Sequence, residues 1–187
     1  MRIISGISKG KKINEPKDLL TRPLKDLTKE SIFNIIVHSN KFNIELKDSN
    51  VLDLFSGTGS FGLECLSRGS KLITFVENYK KILPILKSNI IKLDFQDNSE
   101  IIEKDIINDL NFKIFKIKFD IIFLDPPYKE TKLFGLLENI IQFDLLKDKG
   151  IIIIHRHKKD VCEFPEKFRI IEEKSYGISK VLFVSYI

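Results

Sequence analysis

Two patterns of apolar positions alternate along this chain. Short runs of consecutive apolar residues are typical of strands buried on both faces, and apolar residues three and four positions apart are typical of helices with one buried side. The pattern predicts strands at 51–55, 71–76, 100–104, 119–124 and 150–155, and helices at 60–68, 79–92 and 131–142. Because strands and helices largely alternate, we expect right-handed crossovers and a parallel sheet with helices on both faces.

The two ends of the chain depart from this alternation. Near the C-terminus, β-rich runs at 168–172 and 178–186 predict a hairpin that makes one edge of the sheet antiparallel. Residues 1–16 are interpreted as a small hairpin or arm. A helix is expected to follow, up to about Val37, with an apolar stripe that packs on the sheet, formed by Leu24, Leu27, Ile32, Ile35 and Ile36. The predicted fold class is α/β, with a mostly parallel seven-stranded sheet, an antiparallel C-terminal edge hairpin and a small N-terminal extension.

A glycine turn joins the first predicted strand to its helix. Gly57, Gly59 and Gly62 have the spacing G-x-G-x-x-G, which lets a ligand approach the backbone where a side chain would block it. Glu77 stands twenty residues after Gly57, at the end of the second strand, where a carboxylate can accept both hydroxyls of a ribose. The glycine motif alone is weak, because such turns are common, but the carboxylate at this distance favours a nucleotide-like cofactor.

A second motif, Asp125-Pro126-Pro127-Tyr128, follows the apolar run that ends at Leu124. Two prolines fix the backbone and leave carbonyl oxygens available as acceptors. With a carboxylate and an aromatic ring, the motif suits a planar base whose exocyclic amine donates to Asp125 and the Pro126 carbonyl while Tyr128 stacks on the ring. Two acceptors can aim the lone pair of such an amine at an electrophile.

Length and cysteine content narrow the class of protein. The 187 residues, with 43% apolar and 30% charged residues, are expected to form one domain, 1–187. Cys65 and Cys162 are too few for a disulfide framework or a zinc site, and we interpret both as reduced, inert thiols. His155 and His157 lack a third ligand of suitable spacing, so no metal is predicted. With Arg156, Lys158 and Lys159 they are expected to form a second basic rim near the edge of the active site. No membrane-spanning or signal segment is seen, and a cytoplasmic location is expected.

Positive charge is concentrated near the N-terminus. The net charge is +5, and residues 1–30 contain eight basic and four acidic residues, a net of +4. A moderately basic net charge on its own favours polyanionic partners only slightly, but this clustering favours an RNA-binding arm and helix within residues 1–40 that precede a core at 50–187. The basic residues assigned to substrate are Lys9, Lys11, Lys12 and Arg22.

These motifs together resemble the RsmD family of S-adenosylmethionine-dependent methyltransferases. The resemblance rests on Asp53-Leu-Phe-Ser-Gly-Thr-Gly, Phe75-Val-Glu77 and Phe123-Leu-Asp-Pro-Pro-Tyr128, and it extends to Arg2-Ile-Ile-Ser-Gly, Arg22-Pro-Leu-Lys-Asp26 and Tyr176-Gly177. It implies a Rossmann-like class I methyltransferase that methylates the N2 amine of a guanine in small-subunit (16S) ribosomal RNA. Whether the substrate is naked RNA or a particle with ribosomal proteins stays open.

The resemblance also assigns residues. It implies Asp53, Gly57 and Gly59 around the methionine moiety of S-adenosylmethionine, and Glu77 on its ribose. Asp105, which follows the third strand, would lie near the adenine amine, and Phe55 is assigned to the cofactor as well. Two positions depart from the family pattern. Leu24 stands where a threonine is usual, and His155 stands where the fifth strand commonly ends in a glutamate, so neither receives a role.

Other function classes use some of the same residues. A DNA adenine-N6 methyltransferase shares the chemistry of the Asp125 motif but generally needs extra residues to read a duplex, and no insertion here is long enough. A nicotinamide-dependent oxidoreductase would use the glycines and Glu77 without the Asp125 motif. A non-catalytic RNA-binding module would account only for the basic arm.

Overall fold

A seven-stranded sheet organises the structure, a computed structural model that describes residues 1–16, 24–109, 111–127 and 130–187. In chain order the elements are α1 (Asp26–His38), β1 (Asn50–Leu54), α2 (Ser60–Ser67), β2 (Leu72–Glu77), α3 (Leu83–Leu93), β3 (Ser99–Glu103), β4 (Phe119–Leu124), α4 (Leu133–Gln142), β5 (Leu146–His157), β6 (Phe168–Tyr176) and β7 (Ser179–Tyr186). Short 3-10 turns lie at Gln96–Asn98 and Phe112–Ile114.

The strand order is β3-β2-β1-β4-β5-β7-β6. The first five strands in this order pair in parallel, and β7 pairs antiparallel with both β5 and β6. This confirms the predicted α/β fold class, including its antiparallel C-terminal hairpin. The direction of winding reverses between β1 and β4, and open α/β sheets bind ligands at such a switch point.

The sheet separates two apolar clusters because side chains alternate between its faces. One face presents Val51, Phe75, Phe123 and Ile153 to a cluster that includes residues of α1, α2 and α3. The other presents Leu54, Val76, Leu124 and Ile154 to a cluster that includes residues of α4. Burial of both faces explains why β1, β2, β4 and the second half of β5 are nearly continuous apolar runs.

Several element boundaries differ from the sequence prediction, and for α3 and β5 the physical reason is clear. Helix α3 begins at Leu83 rather than at 79, and Pro84 lies in its first turn, where a missing N–H has no helical partner to lose. Strand β5 spans Leu146–His157 rather than 150–155, because its C-terminal half also pairs with β7 as far as His157. Long-range pairing therefore extended a strand that the local pattern had kept short.

The predicted stripe of α1 was partly wrong. The helix begins at Asp26, which leaves Leu27 80% exposed, while its buried positions are Thr28, Lys29, Ile32, Phe33 and Ile36. The Nζ of Lys29 donates to the carbonyl of Arg2 and to Ser60 Oγ, so a charged side chain occupies a core position that the predicted apolar stripe did not include. Among the described residues, no helix combines the length and apolar character required to cross a membrane.

The first sixteen residues form a compact hairpin that is docked on α2. The Ile3 N–H donates to the Lys11 carbonyl at 2.9 Å, and Ile3 is fully buried. The Glu64 carboxylate of α2 accepts the N–H groups of Ile4 and Ser5 at 2.7 and 3.0 Å. The Ile7 N–H donates to the carbonyl of Ser67 at 2.8 Å. The predicted hairpin is therefore present, and it is fixed to the body of the protein.

Candidate cofactor and substrate site

Four polar or strained residues meet at the carboxyl ends of β1, β2, β4 and β5. Leu54 is paired with both Val76 and Leu124, and Leu124 is paired with Ile154. The residues that directly follow these four positions therefore lie along one edge of the sheet at its switch point. They are Phe55, Glu77, Asp125 and His155. They are separated in sequence by up to a hundred residues, and the parallel register alone brings them together.

The glycine turn has a left-handed backbone at three positions. Phe55, Gly57 and Gly59 have φ of 63°, 55° and 81°. Glycine adopts such angles freely, whereas Phe55 does so at a cost of roughly 1–3 kcal/mol, and residues of this kind cluster at functional sites. The turn is held by the Ser56 N–H, which donates to the Val76 carbonyl at 3.1 Å.

Two of these glycines are also needed for close packing. A Cβ at Gly59 would lie 2.5 Å from Leu86 Cδ1, and a Cβ at Gly62 would lie 2.4 Å from Phe75 Cε1. Helix α2 consequently lies close to β2 and α3, and its N-terminus begins directly after the glycine turn. This arrangement presents backbone N–H groups and a positive helix end toward the edge of the sheet.

Glu77 is integrated into the turn that faces it. Its Oε2 accepts the Gly57 N–H at 2.7 Å, and its Oε1 accepts the N–H groups of Asn78 and Tyr79 at 2.9 and 2.8 Å. A carboxylate has about four lone-pair sites, so these bonds leave room for one further donor, at Oε2. A contact with both hydroxyls of a ribose, as expected from the sequence, requires one of these backbone donors to move.

Asp53 lies beneath the turn, on the α2 face of β1. It is 1% exposed, and its Oδ2 accepts the Gly62 N–H at 3.1 Å. Burial raises the pKa of Asp53 well above its ordinary value, the Gly62 hydrogen bond opposes that shift, and the negative charges of Asp125 and Glu77 add to it. Two neighbouring carboxylates therefore disfavour the charged form of Asp53, and a cationic ligand bound at this edge would offset part of that repulsion.

Asp105 follows β3 and caps its own loop. It accepts the N–H groups of Ile107 and Asn108, both at 3.1 Å, and the Asn108 side-chain amide at 2.9 Å. The Asn108 side chain is the largest cause of the lowered pKa of Asp105, and the backbone N–H groups add to it. Since Glu103 is paired with Glu77, Asp105 is placed near the end of β2, on the side where the family resemblance led us to expect an adenine.

The Asp125 motif lies beside the glycine turn. The Asp125 N–H approaches the Leu54 carbonyl at 3.4 Å, and Asp125 Oδ1 lies 2.8 Å from Nδ1 of His155. The Pro127 carbonyl accepts Arg156 Nη1 at 3.1 Å and the Glu130 N–H at 2.9 Å, so the expectation of free proline carbonyls was wrong at this position. Tyr128, the predicted stacking residue, lies outside the described residues.

The predicted basic rim at the end of β5 was also wrong for two of its members. His155 is 7% exposed and Arg156 is 5% exposed. Arg156 Nη2 donates to the Glu130 carbonyl at 2.8 Å, so Arg156 holds the loop that follows β4, while His155 contacts the Asp125 side chain. Sequence reasoning missed these roles, although the apolar run before His155 already indicated that the strand is buried up to this point.

The basic residues assigned to substrate lie on the hairpin. Lys9, Lys11 and Lys12 are exposed, while Arg22 lies outside the part of the chain that the structure describes. A surface cavity of about 500 Å³ lies at the opposite edge of the sheet, where Ser49, Asp120 and Gly150 line it. It contains none of the residues of the glycine turn or of the Asp125 motif, so we place the candidate site at the carboxyl edge.

Known proteins resemble this chain over almost its whole length. A family model described as "Conserved hypothetical protein 95" matches residues 1–185. The Bacillus subtilis "Putative rRNA methyltransferase YlbH" is 35% identical over 97% of this chain and 96% of its own length. The Haemophilus influenzae "Ribosomal RNA small subunit methyltransferase D" is 32% identical over 95% of this chain and 90% of its own. The solved structure of "Putative methyltransferase yhhF from Escherichia coli" has a TM-score of 0.84 at 25% identity, covering 100% of this chain and 97% of that one.

Proposed function

Since the chain belongs to the conserved hypothetical protein 95 family, which is the RsmD family, we propose that it transfers a methyl group from S-adenosylmethionine to a ribosomal RNA base. The acceptor we propose is the exocyclic N2 amine of a guanine in 16S ribosomal RNA. Support comes from relatives named rRNA methyltransferases over nearly the whole chain and from the residues gathered at the switch point. We further propose that 1–187 acts as one methyltransferase domain, because the hairpin and α1 pack on the same sheet as the site.

The residues at the carboxyl edge fit S-adenosylmethionine. The left-handed backbone at Phe55, Gly57 and Gly59 forms a cradle without side chains at its two glycines. Glu77 Oε2 can accept one ribose hydroxyl, and Asp105 stands beyond it toward the position of the base. Asp125 adds negative charge near the place where a sulfonium and an amino group would lie, and Asp53 lies beneath the turn, where it accepts the Gly62 N–H. The cofactor, when bound, supplies an electrophilic methyl group.

The observation that carries the proposal is the position of Asp125 directly beside the glycine turn. An exocyclic amine that hydrogen-bonds to Asp125 would lie next to a methyl donor bound over that turn. Attack by the nitrogen forms an N–C bond and breaks the S–C bond, so positive charge develops on nitrogen before a proton leaves. The Asp125 carboxylate stabilises that charge and is the nearest acceptor for the proton. Tyr128 is proposed as the surface on which the base stacks.

The position of Asp125 and the exposed lysines of the hairpin are both consistent with the proposed RNA substrate. An amine that is paired and stacked cannot reach Asp125, so the base must leave its stack, and this costs less in a loop than in a duplex. The hairpin presents Lys9, Lys11 and Lys12 on a platform fixed to α2, where they can contact phosphates without reading sequence. Arg22 is proposed to contribute to the same contact.

The test is a nucleoside digest after incubation with labelled S-adenosylmethionine. Small-subunit particles, naked 16S RNA and duplex DNA are offered separately, with Asp125→Ala as the matched variant. We expect N2-methylguanine from one of the two RNA substrates and a strongly reduced rate with Asp125→Ala. Label found as N6-methyladenine in DNA, with none in RNA, would support a DNA adenine-N6 methyltransferase instead.

A further inference from the structure

His155 ends the apolar part of β5 and is the closest described partner of the Asp125 side chain. Its Nδ1 lies 2.8 Å from Asp125 Oδ1, and the side chains of His155 and Asp125 are 9% and 20% exposed. One oxygen of the carboxylate is thus directed toward a buried ring, while part of the group remains accessible. The two residues are thirty positions apart in sequence and meet only because β4 and β5 are neighbours in the sheet.

The hydrogen bond determines how the carboxylate is oriented. The last torsion of an aspartate side chain has no narrow preference of its own, so its plane is set by its partners. Nδ1 of His155 occupies Oδ1 and leaves Oδ2 for a donor that enters from the accessible side. When Asp125 is ionised it has no proton to donate, so Nδ1 of His155 carries the hydrogen of this bond.

The backbone of the loop that follows β4 is held by the residue next to His155. Arg156, the next residue, donates from Nη1 to the Pro127 carbonyl and from Nη2 to the Glu130 carbonyl. These contacts fix the backbone that follows Asp125, whereas Nδ1 of His155 contacts the Asp125 side chain. Leu182 and Val181 cover this end of β5 from β7, with Val181 paired to His155, so an apolar residue could have completed the strand. A buried imidazole is costly to place there unless its hydrogen bond is useful.

We propose that His155 is a positioning residue for methyl transfer, which orients the Asp125 carboxylate so that Oδ2 receives the amine of the target base. This inference rests on the proposed function, because it assigns Asp125 the role of amine acceptor. His155 touches neither the base nor the methyl donor in this role. Its contribution is to the rate of transfer, through Asp125, and not to the binding of either substrate.

The first experiment compares three variants by steady-state kinetics. His155→Leu removes the donor, His155→Asn keeps one because the Asn amide nitrogen lies close to the position of Nδ1, and Ser49→Ala removes a buried hydroxyl at the opposite edge of the sheet. We expect His155→Leu to lower kcat roughly tenfold to a hundredfold, the range known for removal of the hydrogen-bond partners that orient metal ligands. KM for both substrates should change little. His155→Asn should recover kcat to within a few-fold of wild type, and Ser49→Ala should leave kcat unchanged.

Three results would overturn the inference: an unchanged kcat in His155→Leu, equal losses in His155→Leu and His155→Asn, or a loss confined to KM. A wild-type protein that methylates neither RNA nor DNA would overturn the proposed function and the role of His155 with it. The two failures are therefore distinguishable, since the first leaves wild-type activity intact.

A second measurement needs no variant of His155 and covers the case in which its variants fail to fold. Nitrogen-15 NMR of histidine-labelled protein reports which ring nitrogen carries hydrogen. We expect a slowly exchanging proton on Nδ1 of His155 in the wild type and its loss in Asp125→Ala. A ring protonated only at Nε2 at neutral pH would show that Nδ1 is not the donor to Asp125, and the inference would be wrong.

Discussion

Lys29 of α1 and Glu64 of α2 form an ion pair in which neither side chain has exposed surface, with Nζ 3.8 Å from Oε2. Glu64 also accepts the N–H groups of Ile4 and Ser5, and Arg68 Nε donates to its Oε1 at 2.8 Å. Burial is the largest cause of the lowered pKa of Lys29, and the charge of Glu64 opposes it. This pair connects the N-terminal hairpin, α1 and the helix that begins at the glycine turn.

Breaking this pair should destabilise the protein strongly. Replacing one partner, as in Glu64→Gln, leaves a buried charge without its counter-charge, and such changes cost about 3–5 kcal/mol. The double variant Lys29→Met/Glu64→Gln should lose less than the sum of the single variants, because the two sites are coupled. Urea unfolding measures both effects. Lys87→Met is the control, since its partner Glu103 is exposed and the loss there should be small. Additive single losses would contradict the coupling.

Gly6 should be far more sensitive to substitution than Gly10. Both have φ of 83°, so alanine is strained at either position. A Cβ at Gly6 would lie 1.7 Å from the Ser67 carbonyl oxygen, whereas a Cβ at Gly10 would have nothing within 4 Å. We expect Gly10→Ala to cost about 1 kcal/mol of unfolding free energy, the strain of the left-handed backbone. Gly6→Ala should cost clearly more and should also weaken RNA binding, because the hairpin must shift from α2. Equal effects at the two glycines would argue against rigid docking.

The exposed lysines of the hairpin should supply salt-dependent RNA affinity. Replacing Lys9, Lys11 and Lys12 with alanine should weaken binding to all RNA sequences alike. The slope of log affinity against log salt concentration should flatten by roughly 0.7–0.9 for each phosphate contact that is lost. Filter binding at several salt concentrations gives the slope. The control is a triple variant of exposed lysines on the opposite edge, Lys47, Lys118 and Lys149. A larger change in the control would place the RNA footprint on that edge.

Asp53→Asn should stabilise the protein increasingly as pH rises. Burial raises the pKa of Asp53 in the folded protein above its pKa in the unfolded chain. The free energy of unfolding of the wild type is therefore highest below the unfolded pKa, and it falls as pH rises through the folded pKa. The window therefore opens near pH ~4, the pKa of an unfolded aspartate, and extends upward. Asparagine carries no charge and can still accept the Gly62 N–H. Urea unfolding from acid to neutral pH should show a growing gain over wild type, with exposed Asp97→Asn as a flat control. A constant difference would contradict the direction of the shift.

Glu77→Gln should weaken S-adenosylmethionine binding. The wild-type carboxylate accepts three backbone N–H groups, whereas the amide of glutamine retains only one acceptor oxygen. Loss of a charge-assisted hydrogen bond costs about 1.5–3 kcal/mol, which is a tenfold to hundredfold change in affinity. Calorimetry on wild type and variant measures this. Glu103→Gln, the paired residue on β3, is the matched control. Tight NADH binding by the wild type, without S-adenosylmethionine binding, would contradict the proposed cofactor.

The local pattern of the sequence determined the sheet and the position of its motifs. The apolar run at 119–124 is the strand that the structure contains, and the spacing from Gly57 to Glu77 placed both at the carboxyl edge. Such features depend on residues close together in the chain, because burial on both faces favours a continuous apolar run and a tight turn requires glycine.

Tertiary structure decided which polar groups meet. The contact of His155 with Asp125 follows from the register of β4 against β5, and the burial of Lys29 follows from Glu64, thirty-five positions away on another helix. Periodicity alone assigned Leu27 to the core and did not include Lys29, because it records the spacing of apolar residues and carries no information about a buried partner for a charge. Pairing between distant segments is fixed only when the whole sheet forms, and it is this pairing that assembles the candidate site.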